Sequence, residues 1–233
     1  RYLLYPDNGD IRNHPKIYDP RTASDATATA IALALAYGVP LHLLEVSSEE
    51  ETQFIKRHST DAITASASLF HLLLEEEDGY ERLGSFAYTV PPIRSVRHQH
   101  AIWHGLEAGH IQSLTSGHRP VPLYQKNLPF PDCPPGVPGI EWSLSLCLDR
   151  VKKGQMTLHD IARLWCEGPA KIHKLPRKGR LEVGYDGDVV LVSLEDTLTI
   201  QAQTTYSRCG WSPWEGMTLT GKPVMTAVSG HVV

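Results

Sequence analysis

From Thr22 to Thr115 the spacing of apolar residues switches repeatedly between a helical and an extended rhythm. Thr22 to Tyr37, rich in Ala and Leu with Thr22, Ser24 and Asp25 near its start, predicts a helix stopped by Gly38. Leu41–Val46, after Pro40, predicts a strand. Ser48 to Arg57 opens with three glutamates, acids where a helix dipole favours them, and predicts a helix. Ala62–Ala67 then predicts a strand, Ser68 to Leu74 a helix, and Phe86–Val90 a strand ending at Pro91-Pro92. Val96 to Ala108 predicts a helix and Ile111–Thr115 a strand. Strands alternating with helices imply parallel units with right-handed crossovers. The four strands should be neighbours, with Glu45, Val90 and Gly117 at one rim.

Beyond Thr115 the pattern changes twice. Arg119 to Pro138 is proline-rich and aperiodic, a long loop of the kind that carries binding sites. Ile140 to Val151 and Thr157 to Cys166 predict amphipathic helices. After Pro176 short Gly-punctuated strands follow, at Asp188–Ser193, Thr197–Gln203 and Val224–Val228, which predict a small all-β module. The division expected is residues 1–175 and residues 176–233. A full eight-stranded α/β barrel needs about 250 residues. Residues 1–175 are too few, so the expectation is the second half of a barrel, or a subset of a longer chain, and the context of Arg1 favours the second view.

Composition narrows the function classes. In 233 residues, 41% are hydrophobic and 21% charged, with a net charge of -4, so neither nucleic acid nor an anionic membrane is expected as partner. No apolar run reaches the roughly 18 residues of a membrane span, and no export leader is visible. Cys133, Cys147, Cys166 and Cys209 form no CxxC pair, which argues against a zinc ribbon. A cytoplasmic protein is expected.

The motifs carry more. The closing stretch Thr205-Tyr206-Ser207-Arg208-Cys209-Gly210-Trp211-Ser212-Pro213-Trp214-Glu215-Gly216, then Gly221 and Ser229-Gly230-His231-Val232-Val233, resembles the end of dihydroorotases and related cyclic-amide hydrolases of the amidohydrolase superfamily. So, in order, do Asn13-His14-Pro15-Lys16-Ile17, Leu41 to Ser48 (family His-x-x-His-Val-Ser-Thr), and Thr89 to Arg94 (Asn-Pro-Pro-Leu-Arg). Leu114 to Val121 resembles Thr-Asp-His-Ala-Pro-His, and Gly136 to Glu141 a glycine-rich turn. Gly168 to Ile172 resembles Asn-Pro-Ala-Arg-Ile, and Lys178 to Leu191 a Lys-Gly-x-Ile strand pair. The resemblance implies the second half of a TIM-like barrel followed by a β-sandwich segment.

It also implies metal chemistry. Such enzymes use divalent metal to activate water and polarise the amide carbonyl, with ligands converging at the C-terminal ends of barrel strands. Where the family places a ligand His, this chain has Glu45; where it places the ligand and general-base Asp, Gly117. Substrate-contact positions carry Val90 and Val121, with Pro138 and Gly139 in the glycine-rich turn. The His pair and bridging Lys of the family would lie before Arg1. What the resemblance implies is therefore a dihydroorotase-like chain of pyrimidine biosynthesis with an impaired centre and no cofactor of its own, serving as a structural partner of aspartate transcarbamoylase and as a homo-oligomer. Two alternatives stay open. One is an active cyclic-amide hydrolase with zinc, using upstream residues; the other is a module that binds a pyrimidine-like ligand.

Plainer roles are expected for the remaining candidates. His98 and His100 open a helix and point apart; His100 and His104 are exposed polar residues. His42 and His118 are hydrogen-bonded structural histidines. Trp211 and Trp214 pack their turn onto the barrel, Asp186 and Asp188 cap a turn, and Glu75 to Asp78 is a solvated run at a helix end. Restoring Asp at 117 and His at 45 is expected to recover metal affinity in the full-length protein, provided the upstream His pair and Lys exist.

Overall fold

The molecule is represented by a computed structural model, which describes residues 9–233. A 3-10 turn (Ile11–Asn13) and the short α1 (His14–Ile17) lead into α2 (Pro20–Tyr37). The pattern put the start of α2 at Thr22; it begins earlier because the Asp19 carboxylate accepts from Arg21 N and Thr22 N, with Pro20 preset for the first turn. Gly38 ends it at φ 63°, the left-handed cap that glycine adopts without penalty. Then come β1 (Leu41–Leu43) and α3 (Glu49–His58), the latter capped by the Ser48 hydroxyl accepting from Glu51 N. Next are β2 (Ile63–Ser68), α4 (Leu69–Leu73), α5 (Glu76–Leu83), α6 (Val96–Glu107) and β3 (Ser113–Thr115).

β1, β2 and β3 form a parallel sheet in that order, with Leu41 opposite Ile63 and Ser66 opposite Ser113. Because strand side chains alternate, Ala65, Ala67 and Leu114 share one face. They join Ile55, Ile102 and Leu106 in the apolar core. The other face of β2 carries Thr64, Ser66 and Ser68. Small residues under the helices let α3 and α6 sit close: Gly105 of α6 lies against Ile111 and Thr52.

One expected strand is not there. Phe86–Val90 is a 3-10 turn (Gly84–Ala87) followed by extended chain up to the cis Val90–Pro91 bond. The segment opens as a 3-10 turn, with Tyr88 N donating to Ser85 O, and joins neither outer strand of the β1-β2-β3 sheet. Pro91 and Pro92 also lack the amide a ladder needs. Within the described residues the barrel therefore does not close.

After β3 the loop holds a single-turn α7 (Leu123–Lys126). It leads to α8 (Ser143–Lys152), then to α9 (Leu158–Ile161), which continues through a π-helical segment (Ala162–Glu167) into α10 (Gly168–Ile172). The tail is one antiparallel sheet of β4 (Val189–Thr199), β5 (Thr218–Val228) and β6 (His231–Val232). Two expected short strands are a single β4 whose register slips between Ser193 and Thr197. A bulge absorbs what looked like a break. Among the described residues there is no second sheet to make a sandwich. β5 instead docks on α8, where Thr220 N donates to the Asp149 carboxylate at 3.3 Å. No helix of the described residues is long and apolar enough to cross a membrane.

Candidate functional site at the strand C-termini

The C-terminal ends of β1, β2 and β3 are where the expected site residues gather, and each is set by its local chain. β1 stops at Leu43, and Glu45 adopts φ 55°, a turn out of the sheet that returns Val46 N to Ser66 O at 2.9 Å. The Glu45 carboxyl is half-buried. Burial pushes its pKa up, and the Arg119 charge partly offsets that. His42, three residues earlier, faces β2 instead. Its Nδ1 shares a hydrogen bond with Thr64 Oγ1 (2.8 Å) and its Nε2 with Ser66 Oγ (3.2 Å), and burial lowers its pKa.

At the end of β2, Ser68 caps α4, and its Oγ lies 2.8 Å from His71 Nδ1. His71 Nε2 is 3.1 Å from the Pro91 carbonyl. A carbonyl only accepts, so Nε2 carries the proton and Nδ1 accepts from Ser68. Burial drives the His71 pKa down to about 4, which makes it a neutral strut and not a proton carrier at pH 7. Thr89 and Val90 stand beside it. The Thr89 carbonyl meets His14 Nε2 at 2.9 Å, and Val90 is half-buried before its cis proline.

After β3 come Gly117, His118 and Val121. His118 Nδ1 accepts from both Gly139 N (3.2 Å) and Ile140 N (3.3 Å), so the turn at Pro138 and Gly139 spends its amides on the protein itself. Val121 is buried, and its carbonyl accepts from Trp211 Nε1 at 2.7 Å. Gly117 has φ 59°, and a Cβ there would stand 2.7 Å from Phe70 Cε2 and 3.0 Å from Ser68 Cβ. The space beside Gly117 is filled by the Phe70 ring, which stacks on Trp214 at 5.2 Å with an interplanar angle of 12°.

The fold has a counterpart among known proteins. Residues 16–233 match the amidohydrolase family model. The chain belongs to the amidohydrolase family. It is 31% identical over 226 residues to a protein named dihydroorotase from Methanothermobacter thermautotrophicus, covering 95% of this chain and 51% of that one. Two solved structures are similar. The L-hydantoinase (dihydropyrimidinase) of Arthrobacter aurescens has TM-score 0.85 at 31% identity, covering 90% of this chain and 48% of that one. A dihydropyrimidinase from Brevibacillus agri has TM-score 0.89 at 25% identity, covering 99% and 52%. The chain spans about half the length of the relatives it matches.

The zinc that the resemblance implies does not fit the donors these residues present. Position 117 has neither a side chain nor room for one, His118 Nδ1 is taken by two amides, and Glu45 interacts with Arg119. Among the described residues no three His, Cys, Asp or Glu side chains converge as a ligand set. A cleft of about 820 Å³ lies elsewhere, lined by Trp165, Leu175, Lys178, Arg180 and Val189, and none of the rim residues borders it.

The remaining candidates have structural partners. His98 is buried and its Nδ1 accepts from Glu49 N, whereas His100 is exposed. Asp188 accepts from Ser229 N, and both Asp186 and Asp188 pair with Lys178. Three residues that sequence reasoning did not single out hold the rim together. Phe70 is one. Lys126 is another: its buried Nζ donates to Tyr88 O (3.0 Å) and Pro134 O (3.2 Å) and lies 5.6 Å from the centroids of the Tyr88 and Trp211 rings. Glu141 is the third. Its carboxylate accepts from Thr205 Oγ1, Tyr206 N and Ser207 N, which pins the start of the tail turn. A lysine in a proline-rich loop and an acid just after the Gly139 turn were the only sequence signals.

Proposed function

We propose that this chain is a dihydroorotase-like member of the amidohydrolase family whose rim serves packing rather than hydrolysis, in a protein acting as a structural partner in pyrimidine synthesis. One observation carries the reading. Position 117, where the family resemblance puts the carboxylate that binds metal and takes water's proton, is a glycine pressed by a buried ring. The other rim groups are committed to the fold, with the His118 ring on two amides and His71 neutral between Ser68 and Pro91. On this reading the chain needs no metal of its own, and its partners are further copies and aspartate transcarbamoylase, as the resemblance implies.

A second reading is favoured by the relatives named dihydroorotase and L-hydantoinase at 31% identity. Under it, the protein opens a cyclic amide with zinc held by residues outside this chain, and Glu45 contributes one oxygen. Zinc content and ring-opening of dihydroorotate and hydantoin, measured on the same preparation, separate the two. Stoichiometric zinc with turnover of roughly 1 per second or faster, both lost in Glu45→Gln, would establish the hydrolase and end the packing reading.

A further inference from the structure

The Phe70 ring is held from three sides, and two of the three are glycines. A Cβ at Gly117 would fall 2.7 Å from Phe70 Cε2 and 2.8 Å from Cδ2. At the tip of the ring, a Cβ at Gly139 would fall 2.8 Å from Phe70 Cζ and 2.2 Å from Ser116 O. The third side is Trp214, stacked on the ring, and both aromatic side chains are about 1% exposed. We infer that Phe70 and a side chain at 117 exclude one another, and that the Phe70–Trp214 stack, seated in a slot cut by Gly117 and Gly139, is the joint fastening the β tail to the barrel rim. This deepens the packing reading above, and it rests on that reading only for what once stood at 117.

The segment that carries the ring is anchored at both of its neighbours. Phe70 lies in α4, whose start is capped by Ser68 and whose next residue, His71, is tied at one nitrogen to Ser68 and at the other to Pro91. Trp214 is equally fixed, because the Ser212 hydroxyl accepts its backbone N–H and Trp211 is bonded to Val121. Backbone conformation accounts for only part of Gly117. At φ 59° every side chain is strained, aspartate and asparagine least among the non-glycine residues, so the φ penalises the family's carboxylate without barring it. The ring fills the space it would take. Simple restoration of Asp at 117, reasonable from the sequence, therefore meets an occupied volume.

The test is a double-mutant cycle on the protein, read by thermal midpoint and by hydrogen exchange of the segment 212–217. Gly117→Asp is expected to lower the midpoint by roughly 5 °C or more, as overpacking does. Phe70→Ala should also lower it, and should speed exchange at 212–217 because the tail loses its stacking partner. Combined, the two changes should cost clearly less than the sum of the singles, since the alanine frees the space the aspartate needs. If Gly117→Asp does not fold, Gly117→Ala carries the same comparison. An unchanged midpoint in Gly117→Asp, strict additivity in the double variant, or unaltered exchange at 212–217 in Phe70→Ala would overturn the inference. Zinc retained by the wild type after dialysis and lost in Glu45→Gln would sink the packing reading, yet it would leave the joint standing wherever the midpoints still couple.

Discussion

The two sheets of this chain solve the same problem in opposite ways. In the parallel sheet, Ile63, Ala65, Ala67 and Leu114 are 0–2% exposed, covered by α3, α6 and their neighbours. In the antiparallel tail Val190, Leu191, Val224 and Val232 are 43–67% exposed, and Leu181 and Val183, just before β4, stand out in solvent. The first sheet carries its own core; the second borrows one, through Leu219, Trp211 and Trp214 laid against the body. Removing surface-covering atoms should therefore hurt the tail chiefly at these borrowed contacts and hardly at all along its open face.

Trp214→Ala should have the largest effect. It empties a fully buried site and unstacks Phe70, for a loss of about 3–5 kcal/mol in denaturant unfolding. A loss below about 1 kcal/mol would mean the tail is held elsewhere. Next is acid, which acts on the body. The folded pKa of His71 is near 4, against roughly 6.5 when unfolded. A buried imidazole that stays neutral binds its proton less readily than the unfolded one, so stability falls as pH drops from about 6.5 towards 4, by about 3 kcal/mol across the window. In His71→Gln that part of the pH slope should vanish; an unchanged slope would assign it to other groups. Glu141→Ala should cost about 2 kcal/mol, because Thr205, Tyr206 and Ser207 lose a charged acceptor. Its signature is fast exchange in the tail with the parallel sheet still protected. Last, Val183→Lys should change stability by less than about 0.5 kcal/mol. A larger loss would show that a second copy or another chain covers that open face.

Sequence pattern located the body better than the site. α2, α3 and α6 were legible because each has an apolar stripe and a stop or cap of the right chemistry, Gly38 and Ser48 among them. β1 came out shorter than expected since Glu45 leaves the sheet through a left-handed backbone, which no periodicity encodes. Phe86–Val90 has the composition of a strand, but a 3-10 turn takes its first residues and Pro91-Pro92 lack the amides that would extend a ladder. The acidic run from Glu75 read as the end of one helix, yet it is the cap and first turn of α5, with the Glu75 carboxylate accepting from Asp78 N. At the rim, Gly117 and Glu45 were visible as departures from a family pattern. Phe70 was invisible, because a phenylalanine in a short apolar helix looks like any other core residue. Its meaning comes from Gly117, Gly139 and Trp214, which lie far from it along the chain.

The cage around Lys126 has a consequence for how the molecule meets proteases. The loop from Arg119 to Pro138 has the composition of a cleavage site, but its one lysine is fully buried, with its ammonium on two carbonyls and against two aromatic rings. Trypsin needs an accessible, locally unfolded stretch, and the Lys174–Arg180 stretch, which lacks regular structure and has exposed basic residues, offers one. The first nick should fall there, between the two sheets, while the bond after Lys126 survives until the body itself opens.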